Sequence, residues 1–277
     1  MGGITMKKLL TLGLVSILAG ALLVGCGAAE SKEDKKIVVG ASSSPHAEIL
    51  EAAKPLLKEK GYDLEIKEFS DYVMPNTTLE DKELDANYFQ HQPYLDDFNK
   101  NNNMHLVSVA AIHYEPLGIY PGKTASLADI KEGAKISVPN DTTNEARALL
   151  LLQEQGLIEI NANAGLSATA KDITANPYQI EIVEIEAAQL VRTLEDVDFS
   201  VINGNYALQG DLNVATDALA KEEADSLAAQ TYANILVVRE GDQDRKDIKV
   251  LVEVLQSQAI SDFIAEKYQG SVVSMNS

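Results

Sequence analysis

Apolar and polar positions along the chain change period several times. An uncharged run from Leu9 to Val24 follows Lys7 and Lys8 and has no amphipathic spacing. Ile37-Val38-Val39-Gly40 is a β-branched run that reads as a buried strand, and the polar stretch Ala41 to Ser44 leads from it into Pro45. Ser44 suits an N-cap and Pro45 the first helical position. Ile49, Ala53, Leu56 and Leu57 then recur at helical spacing as far as Gly61, with Pro55 placed to kink the helix. From Tyr62 to Phe69 the pattern alternates, with Leu64 and Ile66 on one face of a strand.

The same unit recurs further on. Ala134 to Val138 reads as a strand, Pro139-Asn140-Asp141 as a turn, and Thr142 with Glu145 as a capping box that opens a helix ending at Gly156. Ile180-Glu181-Ile182 starts a strand, Ala187 to Asp196 a helix, and Val197 to Ile202 a strand running into Asn203-Gly204-Asn205-Tyr206. Tyr232 to Arg239 is a late strand, and the remainder reads as helical. This alternation predicts an α/β fold with largely parallel sheets. Ligands of such sheets sit at the carboxyl ends of the strands, where this chain places Ser42 to Ser44, Asn140 to Asn144 and Asn203 to Asn205. Neutral hydrogen-bonding groups there suit a small polar ligand better than acid–base chemistry, which wants paired carboxylates or a poised histidine.

Charge removes one class of partner. With 23 Lys and Arg against 42 Asp and Glu, a net charge of −19 gives no footprint for a phosphate backbone, so nucleic acid is not an expected partner. A single cysteine closes no intramolecular disulfide and builds no thiolate zinc site. The apolar run before it is short for a membrane-spanning helix, which needs about 20 residues, so residues 1–25 read as a secretory signal. Leu23-Val24-Gly25-Cys26 resembles the bacterial lipobox, in which the thiol is acylated and Cys26 becomes the first residue of the mature chain. Removing residues 1–25 takes away Lys7 and Lys8 but no acid, which moves the net charge from −19 to −21. Residues 26–35 are small and charged and suit a flexible tether, leaving about 240 residues to fold.

Several motifs fail on inspection. Gly122-Lys123-Thr124 lacks the glycine a phosphate-binding loop needs five residues earlier, where Leu117 stands. Gly165 to Thr169 fails the nucleophile elbow at its last position, and both segments read as solvated loops, which leaves no support for a hydrolase. The histidines, His46, His91, His105 and His113, never fall within seven residues of one another, so their spacing predicts structural or surface roles and no metal site. Arg147 is more informative. It is one of four arginines in the mature chain and lies in the second turn of its helix, against the macrodipole, so an anion must compensate it. That anion is either internal, Glu145 or Asp141, or a ligand carboxylate bound bidentately.

The segment Phe69 to Phe98 crowds Tyr72, Tyr88, Phe89, Tyr94 and Phe98 together. Its DYVMPN and DANYFQHQPYL blocks closely resemble the methionine-binding lipoprotein family (NlpA/MetQ). The resemblance continues through VVGASSSPHAEIL, HYEPLGIYPGK, ISVPNDTTNEARALLLL, ANPYQIEIVEIEAAQL, DFSVINGNYAL and TYANILVVRE, in one order over most of the mature chain. It implies a two-lobed, periplasmic-binding-protein-like fold of type II with a ligand cleft between lobes, here 36–122 with 206–277, and 123–205. It also implies an apolar pocket at Tyr72, Phe89, His91 and Tyr94, a carboxylate-binding Arg147, and head-group asparagines Asn203 and Asn234. The resemblance further implies no enzyme activity, no cofactor and no metal. The implied partners are methionine, a permease of the ABC type and its ATPase. The implied location is the extracytoplasmic face of the cell membrane, with the lipid anchor at Cys26. The same role for another amino acid or a methionine-containing dipeptide, a metal-scavenging lipoprotein and a surface adhesin are the alternatives.

Overall fold

In the computed structural model, residues 35–223 and 230–276 are described. The expected signal, Cys26 and nearly all of the tether lie outside the described residues. The chain first forms β1 (Lys35–Ser42), α1 (Glu48–Glu59), β2 (Tyr62–Phe69), α2 (Met74–Glu80), β3 (Ala86–His91), α3 (Gln92–Asn102) and β4 (Leu106–Tyr114). It continues through β5 (Gly118–Pro121), β6 (Lys135–Pro139), α4 (Thr142–Glu154), β7 (Glu159–Ile160), β8 (Ile173–Ala175), β9 (Glu181–Ile185) and β10 (Phe199–Ile202). The last elements are α5 (Gly204–Gln209), β11 (Ala220–Lys221), β12 (Asn234–Arg239), α6 (Lys246–Leu255), α7 (Gln258–Tyr268) and β13 (Val273–Ser274).

Two sheets result. One has the order β13-β4-β12-β3-β1-β2 and the other β11-β5-β10-β6-β9, while β7 and β8 pair separately. Strands joined through a helix are parallel, as in β1 with β2 and β3, and β6 with β9 and β10. The expectation of largely parallel sheets needs correction, because β12 runs antiparallel to β3 and β4, and β5 antiparallel to β10 and β11. These strands enter by passage from the other sheet and not by a crossover helix, so nothing forces them to point the same way. Sheet membership changes after Tyr114 and again after Lys221.

Each sheet has its own core. Ile37, Val39 and Ala41 of β1 pack with Ile49, Leu50, Ala53 and Leu57 of α1 and with Leu251 and Leu255 of α6. Ile136 and Val138 of β6 pack with Phe199 and Val201 of β10 and with Leu149, Leu151 and Leu152 of α4. Burying each of the Val, Leu, Ile and Phe side chains fully contributes about 1.5–3 kcal/mol. Local expectations shift in detail. Ser44 stays extended (φ −131°, ψ 140°) and caps nothing, a turn over Ser43–Ala47 precedes α1, and Pro55 lies within α1 without ending it. Gly61 takes φ +80° as the C′ glycine. Asp141, not Thr142, caps α4: its carboxylate accepts the Asn144 amide at 3.0 Å, while Glu145 turns to the Ala170 amide at 2.8 Å. The helix expected over Ala187 to Asp196 is a tight 3-10 helix at Ala187–Thr193, and the helical C-terminal stretch ends in β13. In the failed phosphate-loop motif, Gly122 packs so closely that a Cβ would meet the Val197 carbonyl at 2.4 Å.

Candidate ligand site

The carboxyl ends of β2, β3, β4 and β10 and the start of α4 converge on one cavity. Asn234 joins them because β12 is antiparallel, so its first residue pairs with His91 at the end of β3. All seven expected site residues, Tyr72, Phe89, His91, Tyr94, Arg147, Asn203 and Asn234, line it. Gln90, Glu115, Asn144, Gly204 and Asn205 complete the wall. Ser42 to Ser44, expected at a strand end, do not.

The apolar side is a cage of rings. Tyr72 lies 5.8 Å from both Phe89 and Tyr94, and Phe89 lies 6.0 Å from Tyr94. Hydrogen bonds hold the cage: the Tyr94 hydroxyl donates to the Tyr72 carbonyl at 2.9 Å and the Tyr72 hydroxyl to Asn205 Oδ1 at 2.5 Å. His91 ends β3 and caps α3, its Nδ1 accepting the Tyr94 amide at 3.2 Å. The neutral ring therefore carries its proton on Nε2 and donates to Asn144 Oδ1 at 3.2 Å. Burial lowers the His91 pKa to about 3, so the ring stays neutral at pH 7.

Arg147 sits on the buried face of α4, 4.3 Å over the Tyr232 ring. Its compensating anion is internal but is neither Glu145 nor Asp141. Glu222 accepts from Nε at 2.8 Å and from Nη2 at 2.5 Å, and Nη2 also donates to the Glu115 carbonyl at 3.0 Å. Burial pushes Glu222 up, yet the Arg147 charge and hydrogen bonds outweigh it and hold its pKa below the ordinary carboxylate value. Burial likewise opposes the Arg147 charge, and Glu222 more than restores it. Only Nη1 is left without a hydrogen bond among the described residues.

Five polar side chains form a second network. Glu115 Oε1 lies 2.6 Å from His113 Nε2 and 3.5 Å from His46 Nε2, His46 Nε2 lies 2.9 Å from Asn234 Oδ1, and Tyr88 bonds His113 Nδ1. Histidine spacing along the chain thus gave no warning that His46, His113 and Glu115 bring ligand atoms within 4.8 Å of one another. A tetrahedral metal with bonds of about 2.1 Å separates its ligand atoms by about 3.4 Å, so the 2.6 Å contact is hydrogen-bond geometry. Burial lowers His46 to about 4 and His113 to about 3 and raises Glu115. Two orphans complete the site: buried Asn203 Oδ1 and Asn205 Nδ2 have no partner among the described residues. Buried polar atoms are normally satisfied, so an acceptor and a donor are held out to the cavity. Asn203 Nδ2 is fixed by Asn144 Oδ1 at 2.8 Å, whereas the Gln90 side chain is engaged by Asn76 and Asn87.

Among the residues that sequence reasoning passed over as ligand contacts, Asn144, Gly204 and Asn205 lie in the polar strand-end segments it had marked. Glu115 carried one usable signal, a carboxylate directly after the apolar strand β4. Glu222 had none, since its partner lies 75 residues away.

The NlpA lipoprotein family model matches residues 37–276. The chain belongs to the NlpA lipoprotein family. Among relatives of this NlpA lipoprotein, the methionine-binding lipoprotein MetQ of Bacillus subtilis is 43% identical over 97% of this chain and 98% of its own. The structure of a nutrient binding protein from Burkholderia cenocepacia bound to methionine matches at 44% identity and a TM-score of 0.82, covering 86% of this chain and 99% of that one. An ABC transporter periplasmic substrate-binding protein from Coxiella burnetii matches at 39% identity and a TM-score of 0.81, with coverage of 86% and 99%. The NlpA lipoprotein described here is thus a membrane lipoprotein of the ABC substrate-binding class, and not an enzyme.

Proposed function

We propose that this protein captures methionine between two lobes and delivers it to a membrane permease driven by an ATPase. In this reading acylated Cys26 anchors it on the extracytoplasmic face of the membrane, and the lobes follow the two sheets. On that division the crossings lie after Tyr114 and after Lys221. The observation that carries the proposal is a ring cage meeting unpartnered polar atoms in one buried cavity. A thioether gains about 0.3–1.5 kcal/mol near aromatic ring edges, which suits Tyr72, Phe89 and Tyr94, with His91 beside them. Arg147 Nη1 and Asn205 Nδ2 would donate to the carboxylate. Glu115 and Asn203 Oδ1 would accept from the ammonium, with Asn234 beside them. The methionine named for the Bacillus and Burkholderia relatives supports the same ligand. A net charge of −21 gives no steering of a zwitterion and serves solubility.

Calorimetry on ligand-stripped mature protein tests this. Methionine should bind, and Phe89→Ala should weaken methionine more than alanine. No heat with either enantiomer of methionine would refute the proposal.

A further inference from the structure

The charges around the cavity do not balance the way a simple amino-acid clamp would. Arg147 is the cation of the site, but two of its three guanidinium nitrogens are held by the Glu222 carboxylate, so its charge is already compensated within the fold. Glu115 is the reverse case. It lines the cavity at 5% exposure, and the groups that reach its carboxylate are His46 and His113, both buried and neutral at pH 7, together with the backbone amide of Asn205. Arg147 hydrogen-bonds Glu115 only at the backbone carbonyl, and its charge, already paired with Glu222, acts on the Glu115 carboxylate only through space. The site therefore holds one carboxylate that no charged cation contacts directly among the described residues, while its arginine already has an anion in contact. Gly204 opposite Glu115 leaves no slack: a Cβ there would meet Glu115 Oε2 at 2.8 Å, so the carboxylate cannot swing toward that wall.

Resting on the reading that this cavity is the ligand site, we propose that Glu115 makes the ligand's ammonium the obligatory charged group and leaves its carboxylate charge dispensable. The ligand class is then a primary ammonium compound with an apolar side chain, of which a free amino acid is one member. An arriving ammonium supplies the missing countercharge and holds Glu115 ionised against the burial that raises its pKa. A ligand carboxylate, by contrast, meets a guanidinium that already has its anion, and gains only the hydrogen bonds of Nη1 and Asn205 Nδ2. These can be made to a neutral carbonyl as well.

The test is calorimetry on the ligand-stripped mature protein at pH 6.5, below the α-amino pKa of about 7.7. The probes are methionine, methioninamide, which keeps the ammonium, and 4-(methylthio)butanoate, which keeps only the carboxylate. Methioninamide should bind within about tenfold of methionine and the butanoate at least about a hundredfold more weakly, as expected when a buried charge is left unpaired. A butanoate that binds as tightly as the amide overturns the proposal. The ranking is repeated with leucinamide and 4-methylpentanoate. Silence from methionine and its amide alone defeats the methionine reading, whereas silence from both amides defeats the ammonium proposal too. Glu222→Gln supplies a second readout by freeing the guanidinium charge: butanoate affinity should rise at least about tenfold. No rise in a folded variant also overturns the proposal, and should that variant not fold, the ranking in the unaltered protein decides.

Discussion

Replacing Arg147 with alanine should damage stability before any ligand is considered. The guanidinium is 4% exposed and its partner Glu222 is 6% exposed, so the variant strands a carboxylate inside the protein. Glu222 would keep the Tyr114 hydroxyl at 2.6 Å and the Leu117 amide at 3.0 Å, but would lose both bonds from Arg147. The Glu115 carbonyl would lose its guanidinium donor as well. Removing one partner of a buried ion pair costs about 3–5 kcal/mol, a large share of a total stability of about 5–15 kcal/mol. With a urea m-value of about 3 kcal/mol/M, the unfolding midpoint should fall by about 1–1.7 M. The companion variant Arg147→Ala with Glu222→Gln removes the stranded charge and should recover about 2 kcal/mol. Urea titrations of the ligand-stripped proteins, followed by circular dichroism, measure both. A single variant within about 0.3 M of the unaltered protein, or a double variant no better than the single, would show that the pair does not hold the charges as described. The same measurement separates lost folding from lost binding in any Arg147 substitution.

Two further outcomes follow from the cavity walls. Gly204→Ala drives its Cβ against Glu115 Cβ at 2.6 Å and should cost about 1–3 kcal/mol, with methionine affinity falling at least about tenfold; unchanged binding in calorimetry would mean that Glu115 does not shape the cavity. His46, His91 and His113 are held at about 4, 3 and 3, below the ordinary histidine value of about 6.5, so on acidification the unfolded chain takes up protons that the folded chain refuses. Stability is therefore fully present above pH 6.5 and falls by about 1.4 kcal/mol per pH unit per histidine below it, offset in part by Glu115 and Asp141, whose pKa values burial raises. Urea midpoints that do not drop between pH 7 and pH 5 would contradict the neutral, buried state of these rings.

What could be read from the chain was whatever depends on near neighbours. Hydrophobic period marks β1, β2, α1 and α4, because a strand or helix face is set by residues two to four positions apart. The polar strand ends at Asn140 to Asn144 and Asn203 to Asn205 are legible for the same reason, and five of the seven expected site residues fall in three recognisable blocks, around Tyr72, Phe89 and Arg147. Local signals also misled where two residues competed for one role. Thr142 and Asp141 both suit an N-cap, and the carboxylate one position earlier reaches the Asn144 amide.

Tertiary structure decided everything that turns on distant pairing. β12 and β5 run antiparallel because of the passages by which they enter the sheets, which no local pattern encodes. His46 and His113, far apart in the chain, meet at Glu115 because β1 and β4 deliver them to one end of a sheet. Arg147 is neutralised by Glu222, 75 residues later, and so the cavity's uncompensated charge is a carboxylate and not the arginine that the sequence singled out. The sequence alone names the charged groups; their balance depends on distances and burial, since Coulomb energy grows as separation and local dielectric fall, and only the fold sets those.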